Sequence, residues 1–276
     1  MSDIGATFRA LHRKGNPFLL VNAWDRGSAR MMQALGVGAI ATTSAGHAFT
    51  QGRTDGGTLT RDEALTHAQD LVGAVTVPVS GDFENGFGGA PDTVAETIRL
   101  AAEVGLAGCS IEDTALPGFT SYDFDLSVER IRAAAGAARA LVSDFVLVAR
   151  ADGVMLGNYD CAEAIRRIQA YEAAGADCVY VPAPPDPAAL QRIIASVSVP
   201  VNVLTSGPYA ALTQADFARM GAARLSTGGS LARVAYGAAI KAARGMLEGD
   251  FTGLTQAADE NDINDLLTKH DGETNA

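Results

Sequence analysis

Lysine is almost missing from this chain: its 276 residues include only Lys14, Lys241 and Lys269. Covalent imine catalysis needs a desolvated lysine in the pocket. None of the three stands at the end of an apolar strand-like run, which excludes a Schiff-base aldolase. Positive charge is scarce throughout, with 21 Lys and Arg against 32 Asp and Glu and a net charge of -11. A nucleic-acid partner is disfavoured, because phosphate backbones attract basic surfaces. A small anionic substrate is not, since a few arginines and a metal dominate the field inside one pocket. Cysteine is limited to Cys109, Cys161 and Cys178, an odd count without CxxC spacing, which points to a reducing, cytoplasmic setting and no disulfide framework. No apolar run reaches the roughly 18 residues of a membrane helix, and the opening MSDIGATFRALHRKGNP lacks the apolar core of a signal peptide. A soluble protein without a membrane partner is expected. Aromatics make up 6%, too few for an aromatic-rich sandwich.

What the chain does have is Ala, Gly and a 47% hydrophobic content, arranged as eight alternating strand and helix patterns of roughly 25 to 35 residues. The predicted strands are Phe18 to Asn22, Ala39 to Thr43, Val77 to Gly81, Gly108 to Ile111, Phe145 to Ala149, Cys178 to Val181, Val201 to Leu204 and Arg224 to Ser226. Helices are predicted over Gly27 to Leu35, Thr60 to Val72, Thr93 to Val104, Ser127 to Ala140, Cys161 to Ala174, Ala188 to Ser196, Thr213 to Met220 and Leu231 to Glu248. Four of them end on Gly36, Gly105, Gly175 or Gly221, where glycine accepts the left-handed turn that closes a helix. Parallel units of this kind match a (β/α)8 TIM barrel better than an open sheet. No low-complexity linker divides the chain. One barrel domain over 1–249 is expected, followed by an acidic extension over 250–276 with a short helix near 263–267.

In such barrels the chemistry gathers at the carboxyl ends of the strands. The stretch VPVSGDFENGFG, Val77 to Gly88, runs a strand into Asp82 and Glu84. Residues two apart share a face if strand geometry persists, and two hard oxygen donors on one side suit Mg2+ or Mn2+. Glu112 ends the next strand. Three unpaired carboxylates packed together call for a cation. Arg150 closes VLVARAD; its planar fork suits a substrate carboxylate, or a salt bridge inside the acidic cluster. Trp24 and Asn202 stand at other strand ends as candidate substrate contacts. Ser44, with the amides of Ala45 and Gly46, offers a nest for a carboxylate or enolate oxygen. His47 reads first as a packing or surface residue, and STGGS at Ser226 to Ser230 as a phosphate-type loop or a close-packing device.

Taken in order, NAWD at Asn22, TTSAG at Thr42, Asp55, DFENGFG at Asp82, LAGCSIED ending at Asp113 and VARAD at Val148 resemble the isocitrate lyase and phosphoenolpyruvate mutase superfamily, from Phe8 to about Glu248. The resemblance implies a metal-dependent barrel that makes or breaks C–C or P–C bonds beside a 2-oxo acid through an enolate. It makes Asp82, Glu84 and Glu112 the acids of a Mg2+ or Mn2+ site, often acting through water. It makes Ser44, Ala45 and Gly46 the cradle of the 2-oxo-carboxylate, Arg150 its clamp and Asp55 the mobile catalytic acid. It also implies a homo-oligomer, dimer or tetramer, that exchanges its eighth helix.

The chain departs from the family after Glu112. Lyases there carry a KKCGH-type loop, and mutases a Lys and an Asn; this chain reads DTALPGFTSYDFD. Isocitrate-type cleavage through a loop cysteine and phosphoryl migration are both disfavoured. The expectation is a Mg2+-dependent lyase of a small 2-oxo or 2-hydroxy dicarboxylic acid, with decarboxylation, hydrolysis or P–C chemistry as variants. Asp55 or Tyr122 would move the proton. A 2-oxo-acid binding protein without catalysis is the alternative from another class.

Overall fold

Short β-rich runs separated by glycine-closed helices cannot pair as hairpins, and parallel crossovers that keep turning the same way close the sheet on itself. The computed structural model describes residues 3–269. In chain order the elements are α1 (Ile4–Leu11), β1 (Phe18–Asn22), α2 (Arg26–Ala34), β2 (Ile40–Ala41), α3 (Ser44–Thr50), α4 (Arg61–Val72), β3 (Val79–Asp82), α5 (Pro91–Glu103), β4 (Gly108–Glu112), β5 (Thr114–Ala115), β6 (Thr120–Ser121) and α6 (Phe124–Arg139). They continue as β7 (Val146–Arg150), α7 (Gly153–Leu156), α8 (Cys161–Ala174), β8 (Cys178–Tyr180), α9 (Pro187–Ala195), β9 (Val201–Leu204), α10 (Gln214–Met220), β10 (Arg224–Ser226), α11 (Ser230–Leu247) and α12 (Glu260–Thr268). The parallel strands close in the order β1-β10-β9-β8-β7-β4-β3-β2, while β5 and β6 form a separate antiparallel hairpin. This is the expected (β/α)8 barrel, with additional C-terminal helical structure beyond it.

The predicted helix stops hold: Gly36, Gly105, Gly175 and Gly221 all have φ between 89° and 105°. Alternation along the strands then sorts the side chains. Ile111, Leu147, Ala149, Val179, Val201, Val203 and Leu225 face outward into the main core under the helices. Glu112, Arg150, Tyr180, Asn202 and Arg224 fall on the inward parity. They occupy one register row, since Glu112 pairs with Arg150, Arg150 with Tyr180, Tyr180 with Asn202 and Asn202 with Arg224. Because barrel strands tilt against the axis, such a row descends as it passes around the barrel.

The floor comes from an element the sequence reading did not anticipate. Helix α1, capped by Asp3, places the fully buried Phe8 among Leu20, Ala41, Val146, Val148 and Cys178. Arg9 fastens the helix by ion pairs to Asp144 at 2.7 Å and Asp177 at 2.8 Å, just ahead of β7 and β8. Two predicted strands shift: the second shrinks to Ile40–Ala41 because Ser44 begins a helix, and the third moves forward to end on Asp82.

Only Ala232 of α11 is buried, and Val234, Ile240 and Leu247 are exposed. Helix α12, over the predicted 263–267 segment, lies against α2. Positions 270–276 of the expected extension lie outside the described residues. Among the described residues no helix is long and apolar enough to cross a membrane.

Replacing Phe8 by Ala should empty the barrel floor and destabilise the fold by about 3–5 kcal/mol, read as a lower denaturation midpoint in urea at unchanged slope; a change below about 1 kcal/mol would remove Phe8 from the floor.

Candidate active site

Strand β3 ends at Asp82, and the chain then leaves strand geometry: Glu84 has φ 46° and Phe87 φ 64°. Asp82 and Glu84 therefore reach one region through a tight turn, and not through the two-residue strand period expected for them. The turn is held from beneath. Glu112 N–H donates to the Glu84 carbonyl at 2.9 Å. The buried Arg130 guanidinium donates to the carbonyls of Glu112, Asn85 and Gly88. Side chains that lack their own strand are thus fixed by backbone carbonyls that the arginine satisfies.

Above this turn opens a cavity of about 530 Å³, lined among others by Asn22, Ser44, Ala45, Asp55, Asp82, Glu84, Glu112, Arg150, Asp152, Tyr180, Asn202 and Arg224. Ser44 donates to Asp82 Oδ2 twice, from its N–H at 3.0 Å and from its Oγ at 2.9 Å. Arg150 Nη1 donates to Asp82 Oδ1 at 2.8 Å. Its Nη2 pairs with Asp152 at 2.6 Å and with Glu112 at 3.2 Å, and its Nε donates to Asp152 Oδ1 at 3.2 Å. The guanidinium is thus the hub of three carboxylates. By its donor count, one Nη1 hydrogen is left for another acceptor.

Carboxylates packed this closely resist ionisation. Burial, then Asp82 and Asp55, push Glu84 up to about 7 against the opposing Gly57 N–H, which donates to Glu84 Oε1 at 3.0 Å. Burial drives Glu112 well above the ordinary carboxylate range although Arg150 opposes it. Asp55 is raised by burial and then by Asp82, with a hydrogen bond from Ser44 working the other way. The Asp55 loop can approach only because Gly56 and Gly57, at φ 90° and 72°, lie flat against the hairpin. A Cβ at Gly56 would stand 2.3 Å from the Phe119 ring, and one at Gly57 would stand 2.9 Å from Leu116.

The cavity gathers Ser44, Ala45, Asp55, Asp82, Glu84, Glu112, Arg150 and Asn202 of the residues singled out in the sequence. Trp24 and Gly46 are not among its lining. The segment read as an open nest is helix α3, whose Gly46 N–H is taken by Thr43 Oγ1 at 3.2 Å, and the Trp24 Cβ packs against Gly46 from behind. His47 stacks on His67 with ring centroids 3.9 Å apart, and burial followed by His47 holds His67 down to about 4. Tyr122 turns away from the cavity to accept from Asn85 Nδ2 at 3.0 Å. In the STGGS run, the N–H groups of Thr227 and Gly228 donate to Asn22 Oδ1 at 3.0 and 2.8 Å, so the side chain of Asn22 occupies the expected phosphate position.

Asp113 is buried and accepts from Tyr159 at 2.7 Å, Arg167 at 2.9 Å, Tyr171 at 3.1 Å and the Asp152 N–H at 2.9 Å. It ties the end of β4 to that of β7 and so positions the Arg150 hub. Arg224 was missed as a site residue. It sits at the start of its strand, and only the register row brings it under the cavity.

A parallel barrel whose strand ends hold a carboxylate cluster around one arginine defines a barrel of enzyme type, with its pocket where such barrels carry their chemistry. The profile of the phosphoenolpyruvate phosphomutase family matches residues 8–247. The chain belongs to that family, within the phosphoenolpyruvate mutase and isocitrate lyase superfamily. A solved structure of a candidate lyase or mutase from Burkholderia cenocepacia J2315 is 45% identical with a TM-score of 0.90, covering 95% of this chain and 96% of the other. The 2-methylisocitrate lyase of Escherichia coli K12 is 32% identical over 71% of this chain and 68% of its own length. An oxaloacetate decarboxylase of Chromohalobacter salexigens is 30% identical over 87% and 83%.

The raised Glu84 carboxyl carries a stability signature. Folded Glu84 keeps its proton to about 7 while the unfolded group releases it near 4.5, so the folded state binds more protons between those values and loses stability as pH rises through them. In metal-free protein Glu84 should contribute a falling component to the unfolding free energy between pH 4.5 and 7, against the rising component from His67 and His12, whose folded values lie near 4 and 3, so Glu84→Gln should make the net slope over that window more positive. An identical slope in the variant would contradict the assignment.

Proposed function

We propose that this protein is a divalent-cation-dependent lyase that breaks a C–C bond in a small 2-oxo or 2-hydroxy dicarboxylic acid through an enolate. The observation that carries the reading is the convergence of Ser44, Asp55, Asp82, Glu84, Glu112 and Arg150 on one cavity at the strand ends. Membership of the family supports it, as do the relatives named for lyase and decarboxylase activity.

The donor set fits a hard cation. Asp82, Glu84 and Glu112 offer oxygen atoms alone, and burial raises the Glu84 and Glu112 carboxyls, Glu112 in spite of its ion pair with Arg150. Among the described residues no group of three or more such side chains is close enough to hold a metal directly, so the fit is to Mg2+ or Mn2+ bound largely through water. Such a cation would supply Lewis-acid stabilisation of the enolate oxygen. The chain's own residues do the rest. Ser44 and Arg150 hold Asp82 in place, the free Nη1 hydrogen of Arg150 meets a substrate oxygen, and Asp55 carries a proton at its raised carboxyl beside the reacting carbon. The hairpin of β5 and β6, whose Leu116 and Phe119 line the cavity, adds an apolar cover to one side of it.

That apolar cover favours a second reading, decarboxylation of a 2-oxo dicarboxylate. Retro-aldol cleavage needs a base for a hydroxyl, and Leu116 and Phe119 supply none; loss of CO2 disperses charge and gains from an apolar wall. The exposed apolar residues of α11, Val234, Ile240 and Leu247, support a homo-oligomer built through that helix.

Purified protein with Mg2+ should release pyruvate, glyoxylate or CO2 from a panel of 2-oxo and 2-hydroxy dicarboxylates, and Asp55→Asn should lower kcat by roughly 10²–10⁴ with binding retained. Adding Mg2+ near pH 7 should release a proton as Glu84 ionises, seen in calorimetry as heat that varies with buffer ionisation enthalpy. Ligand-dependent thermal stabilisation without turnover on any member of the panel would favour a binding protein.

A further inference from the structure

Besides Arg150 the cavity is lined by Arg233, whose Nη2 donates to Ser230 Oγ at 3.2 Å, and by Arg224, and the acidic cluster uses neither. Arg224 is 4% exposed, lines the lower wall of the same cavity and occupies the last step of the row Glu112, Arg150, Tyr180, Asn202, Arg224. Its Nε donates to Asn202 Oδ1 at 2.9 Å, and Asn202 in turn donates from Nδ2 to Ser226 Oγ at 2.9 Å. Its Nη1 is buried without any hydrogen-bond partner. The described residues provide it with no carboxylate in an ion pair, whereas Arg150 has three.

A buried guanidinium lacking a counter-ion is costly. The apolar cluster of Phe8, Leu20 and Cys178 forms the barrel floor. His12, whose Nε2 is likewise buried without a partner, is held neutral by burial and then by the charge of Arg224. The row therefore has an imbalance of purpose. On β3, β4 and β7 the barrel wall is anionic and its charge is met by Arg150. On β8, β9 and β10 the wall is Tyr180, Asn202, Ser226 and Arg224, uncharged except for one guanidinium that lines the cavity and has no carboxylate partner among the described residues.

We propose that Arg224 is a second anchor for an anionic substrate group, a carboxylate remote from the one that meets Arg150, and that it makes the pocket selective for dicarboxylic over monocarboxylic acids. The inference rests on the reading of this cavity as an organic-acid site and names a residue that sets its substrate class. Asn202 is the positioning residue, since it fixes the Nε edge of the guanidinium. A guanidinium suits this task because it stays charged when buried and offers parallel N–H donors to a carboxylate.

The test is a binding series on the full chain with Mg2+ present, by calorimetry: malonate, succinate and glutarate against acetate, propionate and butyrate, and oxaloacetate against pyruvate, for the wild type, Arg224→Gln and Arg224→Lys. The wild type should bind its best dicarboxylate at least roughly tenfold more tightly than the matched monocarboxylate, about the yield of one charge-assisted hydrogen bond. Arg224→Gln should remove that preference while monocarboxylate affinity stays within roughly twofold, and Arg224→Lys should restore part of it. A preference that survives in Arg224→Gln, or an equal loss for both classes, overturns the anchor. If Arg224→Gln does not fold, the wild-type ratio and the Lys variant decide, and absence of a wild-type preference overturns the proposal. Failure of the wild type to bind any acid sinks both this and the lyase reading. A dicarboxylate preference that depends on Arg224, without turnover, sinks the lyase reading alone and upholds the anchor.

Discussion

One guanidinium holds the site together. Arg150 lies between Asp82, Glu112 and Asp152, all within 3.2 Å of its nitrogens, inside a barrel that shields the pairs from water. Without it the three carboxylates would face one another at low dielectric, and breaking a buried pair of this kind costs about 3–5 kcal/mol. With it they stay close, part protonated and part paired, which is the condition for a site that must accept a cation or an anion without collapsing. The supports around it serve that arrangement. Asp113 ties the ends of β4 and β7 together, and Arg130 satisfies the carbonyls of the turn that carries Glu84.

The barrel interior is consequently divided. One wall, on β3, β4 and β7, is anionic and compensated from within. The other, on β8, β9, β10 and β1, is made of amides, hydroxyls and Arg224. Asn22 fastens the glycine loop after β10 to this second wall by its Oδ1. A small acid lying between the two walls would meet opposite electrostatic partners at its two ends, and that asymmetry orients a ligand more effectively than a uniform field could. The hairpin and the Asp55 loop close over the same space, pressed together at two glycines that have no room for a side chain.

Much of this was legible along the chain. The eight strands were readable because parallel barrel strands are short apolar runs between helices that stop on glycine, a local signal that needs no partner. Asp82, Glu84, Glu112 and Arg150 were readable because strand ends in a barrel share one rim, so position along the sequence becomes position in space; Asp55 came only from the resemblance to the family. Less legible were α1 and α3. The first has only two turns and is stabilised by Phe8 entering a floor that sequence does not display; the second begins within a small-residue segment that looks like a loop. Trp24 lies two residues past the end of β1 and packs behind α3, since a strand end fixes the level of a residue and not the direction of its side chain.

What the sequence determined by itself was the barrel and the acids at its rim, which follow from periodicity and from residue types at strand ends, and the family, which its ordered motifs resemble. What only the tertiary structure decided was how their charges are shared. The hub role of Arg150, the proton held by Glu84 and the unpaired edge of Arg224 depend on burial and on distances between strands far apart in the chain. Electrostatic energy is a property of pairs in space, and the order of residues along the chain does not contain those distances.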